Sequence, residues 1–377
     1  MIGHVVPPRA AAAVHTDGTP LRSEVAVGAA ALERIEASAS FIDRHASAFC
    51  TTSAWLRAAA RNLGGEPVVI TVHDAGSTVV ALAACSRSRQ RGVWGIALLG
   101  GEFNDYGQLY YASESAGVVL ATATAAWVQG EHRAWSLALD QLPEGDPAVA
   151  TLLDLLPRAR LEPGPPIPQI RGIGTDYLVS RNRRRKANNA VHRIEADGLA
   201  WHQVTVHERT DLDRWLPTVI DVRRERDHAC GRRSHLDDPG ARAFYVEVVR
   251  DLCDAGRLHL DLLLVDGTVA GYGMVVADPS AHRVFDGRVA EGLTRYRGGL
   301  VCDLMAVQRA EADPSVATFD WLRGRAGGKF GNDEVMRVGV VAASHAVVER
   351  LDRWDDAARR AVKALLPDAA LRRIARR

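Results

Sequence analysis

Pro157, Pro163, Gly164, Pro165, Pro166 and Pro168 fall close together near the middle of a 377-residue chain, in a stretch that can continue neither a helix nor a central strand. At roughly 150 residues per domain the length suggests two domains, and the elements on either side of this stretch repeat one order. In the first half, residues 29–63 show helical spacing around Leu32, Ile35, Ile42, Trp55 and Leu56, with Thr51-Thr52-Ser53 as a cap. Two β-branched runs, 67–72 and 78–84, flank the turn residues Asp74-Ala75-Gly76-Ser77. A strand at 94–99, an apolar helix at 116–128 and a strand at 134–139 follow. The second half predicts a helix over 180–196, a strand over 200–206, helices over 211–225 and 239–255, and a hairpin across Asp266-Gly267. A strand at 283–288, a helix up to Glu311 and a strand at 318–322 complete it. The expected organisation is a loose arm at 1–24, an N-terminal domain at 25–157, a linker at 158–179 and a C-terminal domain at 180–377. Alternating strands and helices in both halves give the α/β (α+β) class, each domain a mixed sheet flanked by helices.

Composition excludes several functions. The 47 basic and 46 acidic residues give a net charge of +1, so no global field draws the chain to nucleic acid or membrane and any such partner is held by a local patch. Only Lys186, Lys329 and Lys363 are lysines, the other basic residues being Arg, so arginine runs carry less information here than usual. The five cysteines are scattered, with no C-x-x-C pair and no spacing suited to zinc, so no metal is expected. No run approaches the ~18 apolar residues of a membrane helix and no signal sequence opens the chain, which predicts a cytoplasmic protein without a membrane partner. There is no P-loop and no G-x-S-x-G elbow.

At Ser53-Ala54-Trp55-Leu56 and Asp105-Tyr106-Gly107 in the first half, the sequence resembles the CelD-like branch of the GNAT acyltransferase superfamily, whose members carry two GNAT-type halves. In the second half the resemblance rests on Ser180-Arg181-Asn182-Arg183-Arg184-Arg185-Lys186, Phe244-Tyr245, Gly256-Arg257-Leu258, Phe319-Asp320-Trp321-Leu322-Arg323-Gly324 and Lys329-Phe330. The Fem-type ligases, which take amino acids from aminoacyl-tRNA, are a more distant likeness. The resemblance implies two tandem GNAT-like domains and transfer of an acyl or aminoacyl group from acyl-CoA or aminoacyl-tRNA, as co-substrate, onto the amine of a small molecule. It also implies a glycine-rich turn at a helix N-terminus that binds pyrophosphate. Arg295-Tyr296-Arg297-Gly298-Gly299-Leu300 lies where such a turn belongs, with Arg295 and Gly298 matching the R/Q-x-x-G-x-G/A pattern and Leu300 departing from it at the last small position. The first half has no comparable turn and is expected to be degenerate.

The residues themselves suggest roles. Arg181, Arg183, Arg184, Arg185, Lys186 and Arg193 occur without an acid between them, which suits CoA phosphates or a tRNA acceptor stem; a solvated helix face with aliphatic stems is the alternative. Arg323 and Lys329 follow the last strand and are candidates for orienting a donor phosphate, while Asp320 beside them is either an ion-pair partner or a base. Asp286 at a strand end, and Asp105 with Tyr106 in the first half, are the other candidates for acceptor deprotonation. An alternative from another class is a catalytically silent tandem protein that binds nucleic acid or a protein partner.

Overall fold

The computed structural model describes residues 13–16, 19–90, 92–175, 179–323 and 331–350. They divide into two compact units, one holding the chain up to Pro165 and again from Met336, the other Pro166–Val335.

The first unit runs β1 (Ala13–Thr16), β2 (Thr19–Val27), α1 (Ala29–Ala37), α2 (Ala39–His45), α3 (Ser53–Asn62), β3 (Glu66–His73), β4 (Val79–Gln90), β5 (Val93–Leu98), β6 (Tyr110–Tyr111), α4 (Glu114–Gln129), β7 (Trp135–Pro143), α5 (Pro147–Leu155) and β8 (Arg160–Pro163). The second runs β9 (Ile167–Arg171), α6 (Arg181–Ala196), β10 (Trp201–Val206), α7 (Arg209–Ala229), α8 (Pro239–Asp254), β11 (Leu258–Val265), β12 (Thr268–Asp278), β13 (Ala281–Val289), α9 (Gly298–Ala312), β14 (Thr318–Asp320) and β15 (Asp333–Val335). The chain then returns to the first unit as β16 (Arg337–Ala343).

Among the described residues the first sheet is ordered β1-β2-β3-β4-β5-β7-β16-β8, with β6 beside β4, and the second β10-β11-β12-β13-β14-β9-β15. Each sheet is antiparallel except for one parallel pair next to its central hairpin, β5 with β7 and β13 with β14. The first core is built from alternate strand residues, Val68, Ile70 and Val72 of β3 and Leu137 and Leu139 of β7, against Val119, Leu120 and Val128 of α4. The second core has one patch around Ile170, Val307, Phe319 and Trp321 and another around Ala190, Ile194, Leu263 and Cys302.

Three expectations on domain organisation are corrected. Residues 13–16 and 19–24 are not a loose arm: they pair as β1 and β2, and β2 joins β3. Nor is 158–179 a linker, because β8 and β9 lie within it and belong to different sheets. The prolines fit because Pro163 ends an edge strand and Pro168 lies past the β14 ladder, where its carbonyl accepts from the Trp321 N–H at 3.0 Å. The connection proper is Gly164-Pro165-Pro166. Finally, the C-terminal domain does not hold everything after 180. Val338, Val340 and Ala342 of β16 face the first core, between β7 and β8.

A polar group is sealed between the second sheet and α9. Asp261, with no exposed surface, accepts from Thr205 at 2.8 Å on the neighbouring strand and from Arg309 of α9. The His259 and His282 rings lie 6.1 Å apart in the same region. Burial, reinforced by Arg309 and His282, lowers the His259 pKa to about 4, and His282 is lowered for the same first reason. The unfolded chain therefore takes up a proton near 6.5 that the folded chain refuses until about 4. We expect stability to be full above pH 6.5 and to fall as pH drops through that window, with a shallower fall in His259→Gln, read from urea unfolding midpoints across pH.

Candidate functional site

The second sheet opens at β13. It pairs with β14 only over Ala281↔Thr318 to Arg283↔Asp320, yet continues to Val289, so along 284–289 its β14 side has no ladder partner among the described residues. Within that stretch the register with β12 slips: Met274 faces Asp286 and Val275 faces Val284, leaving Phe285 as a bulge. Backbone groups in a sheet are normally consumed by the ladder. Here no ladder takes up that side of the strand among the described residues, and at Gly287 the N–H goes to the Asp286 carboxylate and the C=O to Arg288, each at 2.8 Å.

A short turn, Glu291–Tyr296, leads from β13 to α9, and Arg297 enters the helix at φ 50° and ψ 39°. Helix and sheet meet without side chains between them: a Cβ on Gly271 would lie 2.7 Å from the Gly298 carbonyl carbon, and one on Gly298 would lie 2.8 Å from the Ala270 oxygen. The first turn of α9 has neither a side-chain cap nor an acid, so its orphan N–H groups and the positive end of the dipole remain unneutralised. In the first unit α4 differs. Its Ser113 hydroxyl accepts from the Ala116 N–H at 3.2 Å and Glu114 stands in its first turn.

Successive β12 side chains alternate faces. Gly271 and Gly273 turn towards α9, whereas Tyr272 turns towards Asp286 on the face that α7 and α8 cover. There Asp286 is buried and fully engaged. Its Oδ2 accepts from Arg223 at 2.9 Å, Tyr245 at 3.0 Å and Tyr272 at 2.8 Å, and its Oδ1 from the Gly287 N–H at 2.8 Å and Arg288 at 3.2 Å. Burial alone would raise its pKa, but Arg223 and Arg288, helped by the tyrosine hydroxyls, hold it below the ordinary carboxylate value. Both tyrosines are pushed well up, first by burial and then by Asp286, so they remain donors. Tyr245 also stacks on the bulge residue Phe285, centroids 5.5 Å apart. Such a carboxylate anchors cations and takes up no proton near neutrality, which argues against the base role suggested by its strand-end position.

The other sequence candidates separate. Asp320 is fully buried, accepting from Gln169 at 3.2 Å and the Leu322 N–H at 2.8 Å and lying 3.4 Å from Arg283; it joins β9, β13 and β14 as an ion-pair partner. Asp105 and Tyr106 are in the first unit, where Tyr106 is buried beneath the Arg337 guanidinium, 4.8 Å from its ring. Arg295 is taken up by Asp197 and stacks on Tyr296, whose hydroxyl donates to the same carboxylate at 2.8 Å. Arg297, Gly298 and Gly299 form the start of α9, with Arg297 exposed. Arg323 is exposed, and Lys329 lies outside the described residues.

Helix α6 buries Ala187, Ala190 and Ile194 and presents Arg181, Arg185 and Lys186 to solvent. Arg184 is committed to Glu311 at 3.1 Å, Arg183 supplies the N–H that Ser180 caps, and Arg193 donates to the Arg295 carbonyl at 2.6 Å. Arg223, Arg288 and Tyr272 were missed by sequence reasoning. The only signal was the run Arg223-Arg224-Glu225-Arg226-Asp227-His228, whose alternating charge reads as a salt-bridged helix face.

Residues 181–330 match the family model described as acetyltransferase (GNAT) domain. That segment is similar to a GNAT acetyltransferase domain. The two-unit arrangement is shared with solved structures at low identity. FemX is 9% identical, with 84% of this chain and 98% of that one covered and a TM-score of 0.57. A conserved protein of unknown function from Bacteroides thetaiotaomicron is 8% identical, with 82% and 97% covered and a TM-score of 0.54. The C-terminal domain of a protein described as a lysylphosphatidylglycerol synthetase, from Agrobacterium fabrum, is 12% identical, with 87% and 96% covered and a TM-score of 0.53. These likenesses span both units and show a shared two-unit fold. No curated protein matches the sequence. No described helix is long and apolar enough to cross a membrane.

Two outcomes are expected from this geometry. Gly298→Ala forces a methyl group onto backbone that cannot yield and should cost about 1–3 kcal/mol in chemical denaturation. Asp286→Asn leaves two arginines without their buried counter-charge and should cost about 3–5 kcal/mol. A variant with unchanged stability and lost rate would instead make Asp286 a base.

Proposed function

We propose that the second unit moves an acyl or aminoacyl group from a phosphate-bearing carrier onto the amine of a small molecule, forming an amide. The observation that carries this reading is the pairing of β13's unladdered, bulged edge with the uncapped, acid-free N-terminus of α9 that follows it. A helix end of that kind attracts phosphate, while strand N–H groups suit the oxyanion of a tetrahedral intermediate. The amine nitrogen bonds to the carrier's carbonyl carbon and the carbon–sulfur or carbon–oxygen bond breaks. The amine's proton leaves through water to the departing thiolate or alkoxide. Neither Asp286 nor Asp320 is needed as a base, in keeping with their buried ion pairs.

Acyl-CoA and aminoacyl-tRNA, both cytoplasmic, supply this chemistry alike. The exposed Arg181, Arg185 and Lys186 favour the tRNA as the second, narrower reading, because backbone phosphates of a polyanion are met by such a face without sequence information.

The test is binding of acetyl-CoA and, separately, of bulk charged tRNA, each at two salt concentrations. If tRNA is the carrier, Arg181→Ala/Arg185→Ala/Lys186→Ala should weaken it and make the plot of log affinity against log salt shallower by roughly 2–3. Saturable acetyl-CoA binding that the triple variant leaves intact would assign an acyl-CoA. If neither carrier binds, the transferase reading fails and a silent binding protein takes its place.

A further inference from the structure

On the α7/α8 face, three guanidiniums crowd two buried carboxylates. Around Asp286 and Asp227, both buried, stand three guanidiniums: Arg223, Arg288 and Arg232. Arg288 reaches Asp286 at 3.2 Å and Asp227 at 3.5 Å, Arg232 reaches Asp227 at 3.5 Å, and Arg223 approaches Asp227 only to 4.0 Å. The neighbouring Arg226 is paired with Glu291 at 2.5 Å and Arg224 with Asp237 at 3.0 Å, so Arg223, Arg288 and Arg232 share the two buried carboxylates Asp286 and Asp227 between them. The Nε atoms of Arg223 and Arg288 are buried without a hydrogen-bond partner among the described residues. Both Nε atoms face Asp227, at 4.0 and 3.5 Å, so one carboxylate is shared among donors it does not fully satisfy, and a further oxyanion would complete them. The cluster is not sealed: the Arg288 side chain is 28% exposed and that of Arg232 60%.

Its position narrows what that anion belongs to. Asp286 and Arg288 lie in the segment of β13 with no ladder partner on its β14 side, yet their side chains point to the face opposite α9. A carrier whose phosphates sit at the α9 N-terminus approaches from the other face and does not fill the cluster.

We propose that the acceptor amine also carries an oxyanion, a carboxylate or a phosphate, and that Arg288 with Arg232 binds it while Asp286 and Asp227 hold the two guanidiniums in place. This rests on the acyl-transfer reading for the word acceptor. The recognition itself does not, since it is read by binding without any carrier.

The experiment titrates the full chain, followed by NMR or calorimetry, with β-alanine, O-phosphoethanolamine and uncharged-tail ethanolamine. One or both anionic amines should bind about tenfold more tightly than ethanolamine, the scale of a charge-assisted hydrogen bond. The stronger of the two identifies carboxylate or phosphate. Arg288→Gln should abolish the preference and Arg288→Lys restore part of it. Because Arg288 touches buried carboxylates and its loss can disturb folding, Arg232→Gln provides an exposed second variant, expected to weaken the anionic amine and leave ethanolamine and the melting temperature unchanged. Equal binding of all three amines, no binding of any, or a preference that survives in both glutamine variants overturns the proposal. Loss of acetyl-CoA and tRNA binding with the preference intact would reject the transferase reading alone.

Discussion

Much of the second unit depends on the contact between the first turn of α9 and β12. Gly271 and Gly298 meet backbone to backbone, at distances a methyl group would close to 2.7–2.8 Å. That approach brings the positive end of a 15-residue helix against the strand next to β13. A larger residue at either position would lift the helix away and move its N–H groups off the sheet. The αL conformation of Arg297 serves the same purpose, turning the chain into the helix without spending a side chain on a cap. The first unit repeats the order of strands and the parallel pair, but its α4 is capped by its own Ser113. One helix start carries a side-chain cap and the other does not.

The two faces of the second sheet then acquire different chemistry from one alternation. Glycines on β12 face α9 and permit the close approach, while the residues that alternate with them, Tyr272 and Met274, face α8's Tyr245 and the Asp286 network. Asp286 collects five donors because burying a carboxylate is tolerable only when its lone pairs and charge are met. The same logic holds beneath α9, where Asp261 is met by Thr205 and Arg309. Both carboxylates stand on central strands, and both hold a helix to the sheet through an arginine.

Local elements were largely legible. The hairpin around Asp266-Gly267 and the helices at 181–196, 209–229 and 239–254 follow their turn residues and apolar spacing to within a few positions. Strands that pair over long sequence separations were not: β8 and β9 were hidden by prolines, and β16 pairs with β7 about 200 residues away. Proline lowers strand expectation locally, but at an edge or beyond a ladder it costs nothing. At the site, Gly298 and Arg297 were visible in a glycine-rich turn, whereas Arg223 read as one charge in the salt-bridged face of its own helix. Its partner Asp286 lies 63 residues away.

The sequence by itself determined that this chain has two α/β halves of one order, that the second carries a glycine turn before a helix, and that a basic segment precedes it. Those properties are local, set by periodicity, turn chemistry and composition within a dozen residues. Only the tertiary structure decided which charges are neutralised. Arg184, Arg295 and Asp320 meet partners remote in sequence, Arg181, Arg185 and Lys186 stay in solvent, and Arg288 bridges the buried Asp286 and Asp227. The reason is that charge pairing depends on distances across elements, and no spacing along the chain encodes them until the sheet and helices have packed.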